Sequence, residues 1–170
     1  MKAYTVYQPF AFATVAGIKH YETRPRRTNI RGYVAVHAAK LDAWKSGILE
    51  AGKMPEIEKI LSEHQGTGNR PARLAYGAVV GAVEIVDCVP VEEIMHTLTE
   101  RERLLGDYSP GQFAWVLRNP IMFEKPIPAR GKQGWWDWPF VLIETGNKMG
   151  SGKSDGSDTR IIWGAGCGPK

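Results

Sequence analysis

Cysteine is nearly absent from this chain. The two present are Cys88, in an apolar run, and Cys167, in a glycine-rich tail. That excludes a disulfide framework and a zinc site built on cysteine pairs. The four histidines, His20, His37, His64 and His96, are scattered, and none of them pair at the i, i+4 spacing of a helical zinc site. No metal is expected. No apolar run reaches the roughly 18 residues of a spanning helix. Gln8 and Pro9 interrupt the opening MKAYTVYQPF before it forms the apolar core of a secretory signal. The expectation is a cytoplasmic protein that does not engage a membrane. No G-x-S-x-G anchors a serine nucleophile. The stretch GNKMGSGKS imitates a phosphate loop, but Asn147 stands where its first glycine belongs, and DGSDT follows where a helix is required. No ATP site and no cofactor are expected.

What is present is a globular composition. The chain has 170 residues, 43% hydrophobic and 24% charged, enough for one domain with a core. The net charge of +4 permits nucleic-acid binding without requiring it. Its distribution is more informative. Residues 19–31 hold five Lys or Arg and one acid, whereas residues 84–93 hold four acids and no base.

Periodicity and turn residues predict short strands mixed with short helices. Strands are expected at 3–8, 21–24, 32–39, 113–117, 121–123 and 140–144. The valine-rich run 76–91, broken by Gly81, reads as one bent strand or two. Pro9 opens a helix ending at Gly17, a C-cap glycine. Helices are expected at 41–52, from Pro55, and after the capping box Thr99-Glu-Arg-Glu102. Residues 126–138 read as irregular and tryptophan-rich. The segment 146–170 reads as a flexible Gly/Ser-rich tail, with Ile161-Ile162-Trp163 as an apolar island able to dock on a domain of residues 1–145. The uneven spacing of strands points to an α+β barrel or half-barrel rather than serial βαβ units.

The segment GIKHYETRPRR, residues 17–27, concentrates the chemistry. On an extended 21–24, Glu22 and Arg24 share a face and can pair. A structural salt bridge, a solvated turn and the floor of a polar site are all compatible with that spacing. A desolvated Lys19 can act as a base. Arg26, Arg27 and Arg31 extend the positive surface, and arginine suits phosphate. Phe10, Phe12, Trp115, Trp135, Trp136 and Trp138 supply aromatic faces, and stacking beside a basic groove suits single-stranded nucleic acid. Core packing is the plainer role for each, Trp115 above all.

Gly17, Lys19, Glu22 and Arg24 also form a complete G-x-K-x-x-E-x-R motif. Before it stand Tyr7-Gln8-Pro9-Phe10-Ala11; after it come Arg31-Gly32, Val36-His37-Ala38-Ala39-Lys40, Gly81-Ala82-Val83-Glu84 and Phe113-Ala114-Trp115. In these pieces, spanning about residues 3–144, the chain resembles the ASCH domain family of the PUA-like superfamily. The resemblance implies a PUA-like β-barrel with short helices around it and a cleft that faces RNA, a nucleoside or a nucleotide. Carried onto this sequence, the ligand-binding candidates are Gln8, Phe10, Lys19, Glu22, Arg24, Arg26, His37, Lys40 and Trp115. Some relatives are amidohydrolases that deacylate N4-acetylcytidine, with a lysine, a threonine three residues later and a distant glutamate. Lys19 fits the lysine and Glu84 the glutamate, but Glu22 holds the threonine position and Thr23 is one residue out. Ribonuclease activity is also associated with the family. The alternative expectation is therefore a hydrolase with Lys19 as base and Glu22 or Glu84 as the assisting carboxylate.

Overall fold

The structure is a computed structural model that describes residues 1–41, 43, 51–64, 74–144 and 159–163. Most of the helix expected at 41–52, the loop at 66–71, the imitation phosphate loop and Cys167 lie outside the described residues. The chain runs β1 (Lys2–Val6), α1 (Phe10–Val15), β2 (Tyr21–Arg24), β3 (Gly32–Ala38), α2 (Met54–His64), β4 (Ala78–Pro90), α3 (Val91–Ile94), α4 (Glu100–Leu104), β5 (Phe113–Pro128), β6 (Trp136–Asp137), β7 (Phe140–Glu144) and β8 (Thr159–Trp163). None of the described helices is long and apolar enough to cross a membrane.

Six strands form one mixed sheet in the order β2-β5-β4-β3-β1-β6. β1 and β3 run parallel, and the other neighbours are antiparallel. Among the described residues no ladder joins β2 to the far side, so the six-stranded sheet is not closed and the barrel implied by the resemblance is not confirmed. The physical reason lies at the two edges. β6 is two residues long and covers only Lys2 and Ala3 of β1. Thr5 and Val6 therefore face a seam, and β2 lies across it. A side chain spans that seam: Arg24 Nη2 of β2 donates to the Thr5 carbonyl of β1 at 3.0 Å.

Bulges bend the sheet. The β4–β5 ladder changes register at three places, and Asn119 of β5 has φ 46°. At one of these shifts Gly81 lets the chains close in, because a Cβ there would lie 2.1 Å from the Ile121 carbonyl and 2.7 Å from Val15 Cγ1. The run 78–90 is thus one bent strand, and the pieces expected at 113–117 and 121–123 are one strand of 16 residues. Pro120 and Pro126 do not end it, since proline is tolerated where a ladder bond is already lost.

Alternation divides the side chains between two faces. Tyr4, Val34, Val36, Val83, Ile85, Trp115 and Leu117 fill the inner face beneath Ala11 and Val15 of α1. Ala35, Val79, Ala82, Phe123, Trp136 and Trp138 pack on the other face. A third cluster joins α1 to α2 and α4 through Ala13, Ile18, Ile57, Leu61 and Leu105. Ile57 is fully buried, worth about 1.5–3 kcal/mol relative to exposure. The apolar island 161–163 forms part of β8, which pairs antiparallel with β7.

Candidate functional site

The motif is aimed by the end of α1. Gly17, at φ 74°, takes the left-handed conformation that closes the helix. Its amide donates to Thr14 and that of Ile18 to Ala13, a paired termination that turns the chain back across α1. Lys19 thereby enters the seam instead of solvent. The other end of α1 is set by Gln8. Its side-chain oxygen accepts the orphan Phe12 amide at 3.0 Å, and its Nε2 donates to the Ala75 carbonyl at 2.8 Å.

Lys19, Glu22 and Arg24 form one charged cluster. Lys19 Nζ donates to the Tyr21 carbonyl and lies 3.6 Å from Glu22 Oε2. Arg24 Nε donates to Glu22 Oε1 at 2.8 Å. The side chains of Lys19 and Glu22 are only 2% and 6% exposed, while that of Arg24 keeps 32%. Glu22 therefore serves two cations in a site largely closed to water, a setting in which each charge depends on its partner. The Arg24 guanidinium also lies over Trp115 at 5.7 Å and Tyr4 at 5.9 Å. Trp115 stacks on Trp135 at 4.8 Å and is buried. It is the bed on which Arg24 lies, not an open platform.

The opposing wall is built by α4 and the loop after it. Thr99 caps the helix by accepting from the Glu102 amide, but Glu102 does not return the contact of a full capping box. Its buried carboxylate accepts instead from the amides of His20 and Tyr21 and from the Tyr108 hydroxyl at 2.9 Å. Burial, then the charge of Glu102, pushes the Tyr108 phenol above its ordinary range. Thr23 Oγ1 accepts from the Asp107 amide at 3.1 Å. The Ser109 hydroxyl and amide hold the Asp107 carboxyl below the usual carboxylate range. Between these walls lies a cleft of about 970 Å3, lined by Thr5, Tyr7, Phe10, Lys19, Glu22, Arg24, Lys53, Arg103, Asp107 and Tyr108 among others.

A second cavity of about 1,070 Å3 adjoins it and shares Thr5, Val6, Tyr7 and Arg24. His37 and Lys40 belong to this one, with Arg130 and Lys132. Of the residues singled out in sequence, Phe10, Lys19, Glu22 and Arg24 thus meet at the motif cleft. Gln8 braces α1 behind it. Arg26 is exposed and lines neither cavity. Glu84 does not line the motif cleft, and its carboxylate accepts from Asn119 Nδ2 at 2.7 Å. Sequence reasoning named Thr23 only as a shifted threonine and missed the site roles of Glu102, Tyr108 and the pair Arg130 and Lys132. The capping-box pattern marked Glu102 but for a local contact; the basic, glycine-flanked 130–134 was the available signal for the last two. Among the described residues no group of three or more His, Cys, Asp or Glu is placed to hold a metal.

A mixed sheet with a charged cleft at its seam defines an α+β scaffold whose chemistry gathers at one edge. The chain belongs to the ASCH domain family, whose model matches residues 5–127. Crystal structures of an ASCH protein from Zymomonas mobilis are similar to it. The protein itself has 17% identity over 75% of this chain and 72% of that one, with a TM-score of 0.42. A tyrosine-to-phenylalanine mutant of it has 15% identity over 75% and 74%, also with a TM-score of 0.42. No curated protein matches this chain.

Proposed function

We propose that this ASCH domain binds single-stranded RNA, or a nucleotide from it, in the cleft at the β1–β2 seam. The family is generally linked to RNA binding. The observation that carries the reading is the cleft itself: about 970 Å3 at the open edge, floored by the Lys19–Glu22–Arg24 cluster. Arg24 ties the two strands of the seam, through Glu22 on β2 and the Thr5 carbonyl on β1, while its side chain stays partly exposed. Lys53 and Arg103 add positive charge at the rim, and Tyr7 and Phe10 add aromatic faces. Such a groove suits a base held against aromatic and polar walls with phosphate at the basic edge.

The test is fluorescence anisotropy of labelled single-stranded RNA over a salt series, with the wild type and Lys19→Met, each checked for folding by thermal melting. Affinity falls with salt as counterions are released, and a folded Lys19→Met binds less tightly. Absence of saturable binding in the wild type would sink the reading.

The hydrolytic alternative keeps one specific support: Lys19 Nζ and a Glu22 oxygen lie 3.6 Å apart in the cleft wall. Glu84 has no place in it, because it does not line that cleft. Turnover of an acylated cytidine or of RNA that disappears in Lys19→Met would favour this reading over binding alone.

A further inference from the structure

The second cavity has the chemistry of a polyanion site. Lys40, Arg130 and Lys132 line it together with Arg24, and among the described residues no carboxylate does. None of Lys40, Arg130 and Lys132 forms an ion pair among the described residues, although Lys2 and Asp137, Arg31 and Asp87, and Arg101 and Glu63 all do. Lys132 acts at longer range on Asp137, whose carboxyl is held down mainly by Lys2. Like charges gathered without a direct counterion repel one another, and a bound anion relieves that repulsion.

The cations are held in place by their backbone. Thr5 Oγ1 donates to the Lys132 carbonyl at 2.9 Å. His37 Nε2 donates to the Ala129 carbonyl at 3.0 Å, and the Ala129 amide donates to Gly77 at 3.1 Å. The segment is therefore pinned at Ala129 and at Lys132, on either side of Arg130, while the side chains of Arg130 and Lys132 remain exposed. Gly131 allows the close approach: a Cβ there would lie 2.3 Å from His37 Cε1 and 2.9 Å from Thr5 Oγ1. His37 is buried, and its Nδ1 is without a partner. Tyr7 and Tyr76, both exposed, add aromatic faces to the same cavity.

The two cavities adjoin. Thr5, Val6, Tyr7 and Arg24 belong to both, so Arg24 is the saddle between them. At about 970 and 1,070 Å3, each alone approaches or exceeds the roughly 300–1,000 Å3 that holds a drug-sized ligand. One nucleoside does not fill both. We infer that the second cavity binds phosphodiesters of an RNA strand whose base occupies the motif cleft, so that the ligand is an oligonucleotide crossing over Arg24. This rests on the RNA reading of the motif cleft and adds the strand's path and its phosphate contacts.

The experiment compares wild type, Lys19→Met and the double variant Arg130→Gln, Lys132→Gln, using labelled RNAs of about 12 and about 3 nucleotides, one within and one below the roughly 4–16 nucleotides of a single-strand site. Both substituted residues of the double variant are exposed, so it is expected to fold. The log–log salt slope for the longer strand becomes shallower by about 1.4, from about 0.7 per lost phosphate contact on a single strand. Affinity for the longer strand falls about tenfold at low salt, while that for the shorter one is nearly unchanged. If the wild type binds RNA and Lys19→Met weakens it, but the double variant keeps full affinity and slope, the phosphate path is wrong and the motif-cleft reading stands. Equal losses for both lengths likewise overturn the path. If the wild type binds neither RNA, both readings fall.

Discussion

Lys19, Glu22 and Arg24 answer one another, whereas Lys40, Arg130 and Lys132, in the cavity beyond Arg24, form no ion pair among the described residues. The first group is mostly buried and shares a carboxylate; the second is exposed and shares only a cavity. Charges taken out of water must be paired, and their pairing becomes part of the fold. Charges left at a surface cost little to hold and remain open to a ligand. The comparison teaches that the motif builds the cleft as much as it lines it, and that the free positive charge lies next door.

The largest effect should come from breaking the buried side. Glu22→Ala leaves the Lys19 ammonium and the Arg24 guanidinium facing each other without their carboxylate. A loss of about 3–5 kcal/mol is expected, the range for an orphaned buried ion, read from urea unfolding. A loss under about 1 kcal/mol, the range of a surface pair, would show that water serves the cluster and that the two sides do not differ as described.

A smaller effect is expected where the second cavity is pinned. Gly131→Ala places a methyl group against the His37 ring and Thr5 Oγ1. Overpacking of this kind costs about 1–3 kcal/mol, seen as a fall in melting temperature of several degrees. The segment carrying Arg130 and Lys132 shifts with it, so longer RNA is lost before shorter RNA. An unchanged melting temperature would mean that the segment is not seated on His37.

The smallest effect is in pH. Burial holds the His37 imidazole below its ordinary pKa, against the opposing effect of its hydrogen bond to Ala129. The ring donates from Nε2 as a neutral group, and a proton on Nδ1 would have no acceptor. Below the unfolded value, about 6.5, the unfolded chain takes up a proton that the folded chain refuses. Stability from this group is therefore present above that pH and is lost as pH falls toward the lower folded value. The melting temperature should decline from pH 7 to 5 more steeply in the wild type than in His37→Gln. Parallel declines would remove His37 from the account.

Much of the fold was legible because it is local. β2 spans the expected 21–24, where Pro25 follows an alternating tetrapeptide, and α1 ends against the expected Gly17. Glu22 and Arg24 pair as their i, i+2 spacing predicts. The errors also have local causes. Residues 113–117 and 121–123 read as separate strands, but they are one, with Pro120 beside a bulge where the β4–β5 ladder has already slipped. The two-residue β6 has too little pattern to announce itself, α3 was not anticipated, and the shortness of β6 leaves the sheet open.

The sequence by itself determined the motif, its family and the short elements around it, because side-chain alternation, proline and glycine act on near neighbours. It also predicted that Glu22 and Arg24 would share a face and could pair, while leaving open whether Glu22 meets Lys19 as well. Only the tertiary structure decided what these groups face. Arg24 reaches Thr5 across 19 residues of chain, Glu102 reaches His20 across 82, and Thr5 reaches Lys132 across 127. Contacts at such separations follow from how the sheet curls and which carbonyls its short edge leaves uncovered, and no spacing in the sequence encodes them.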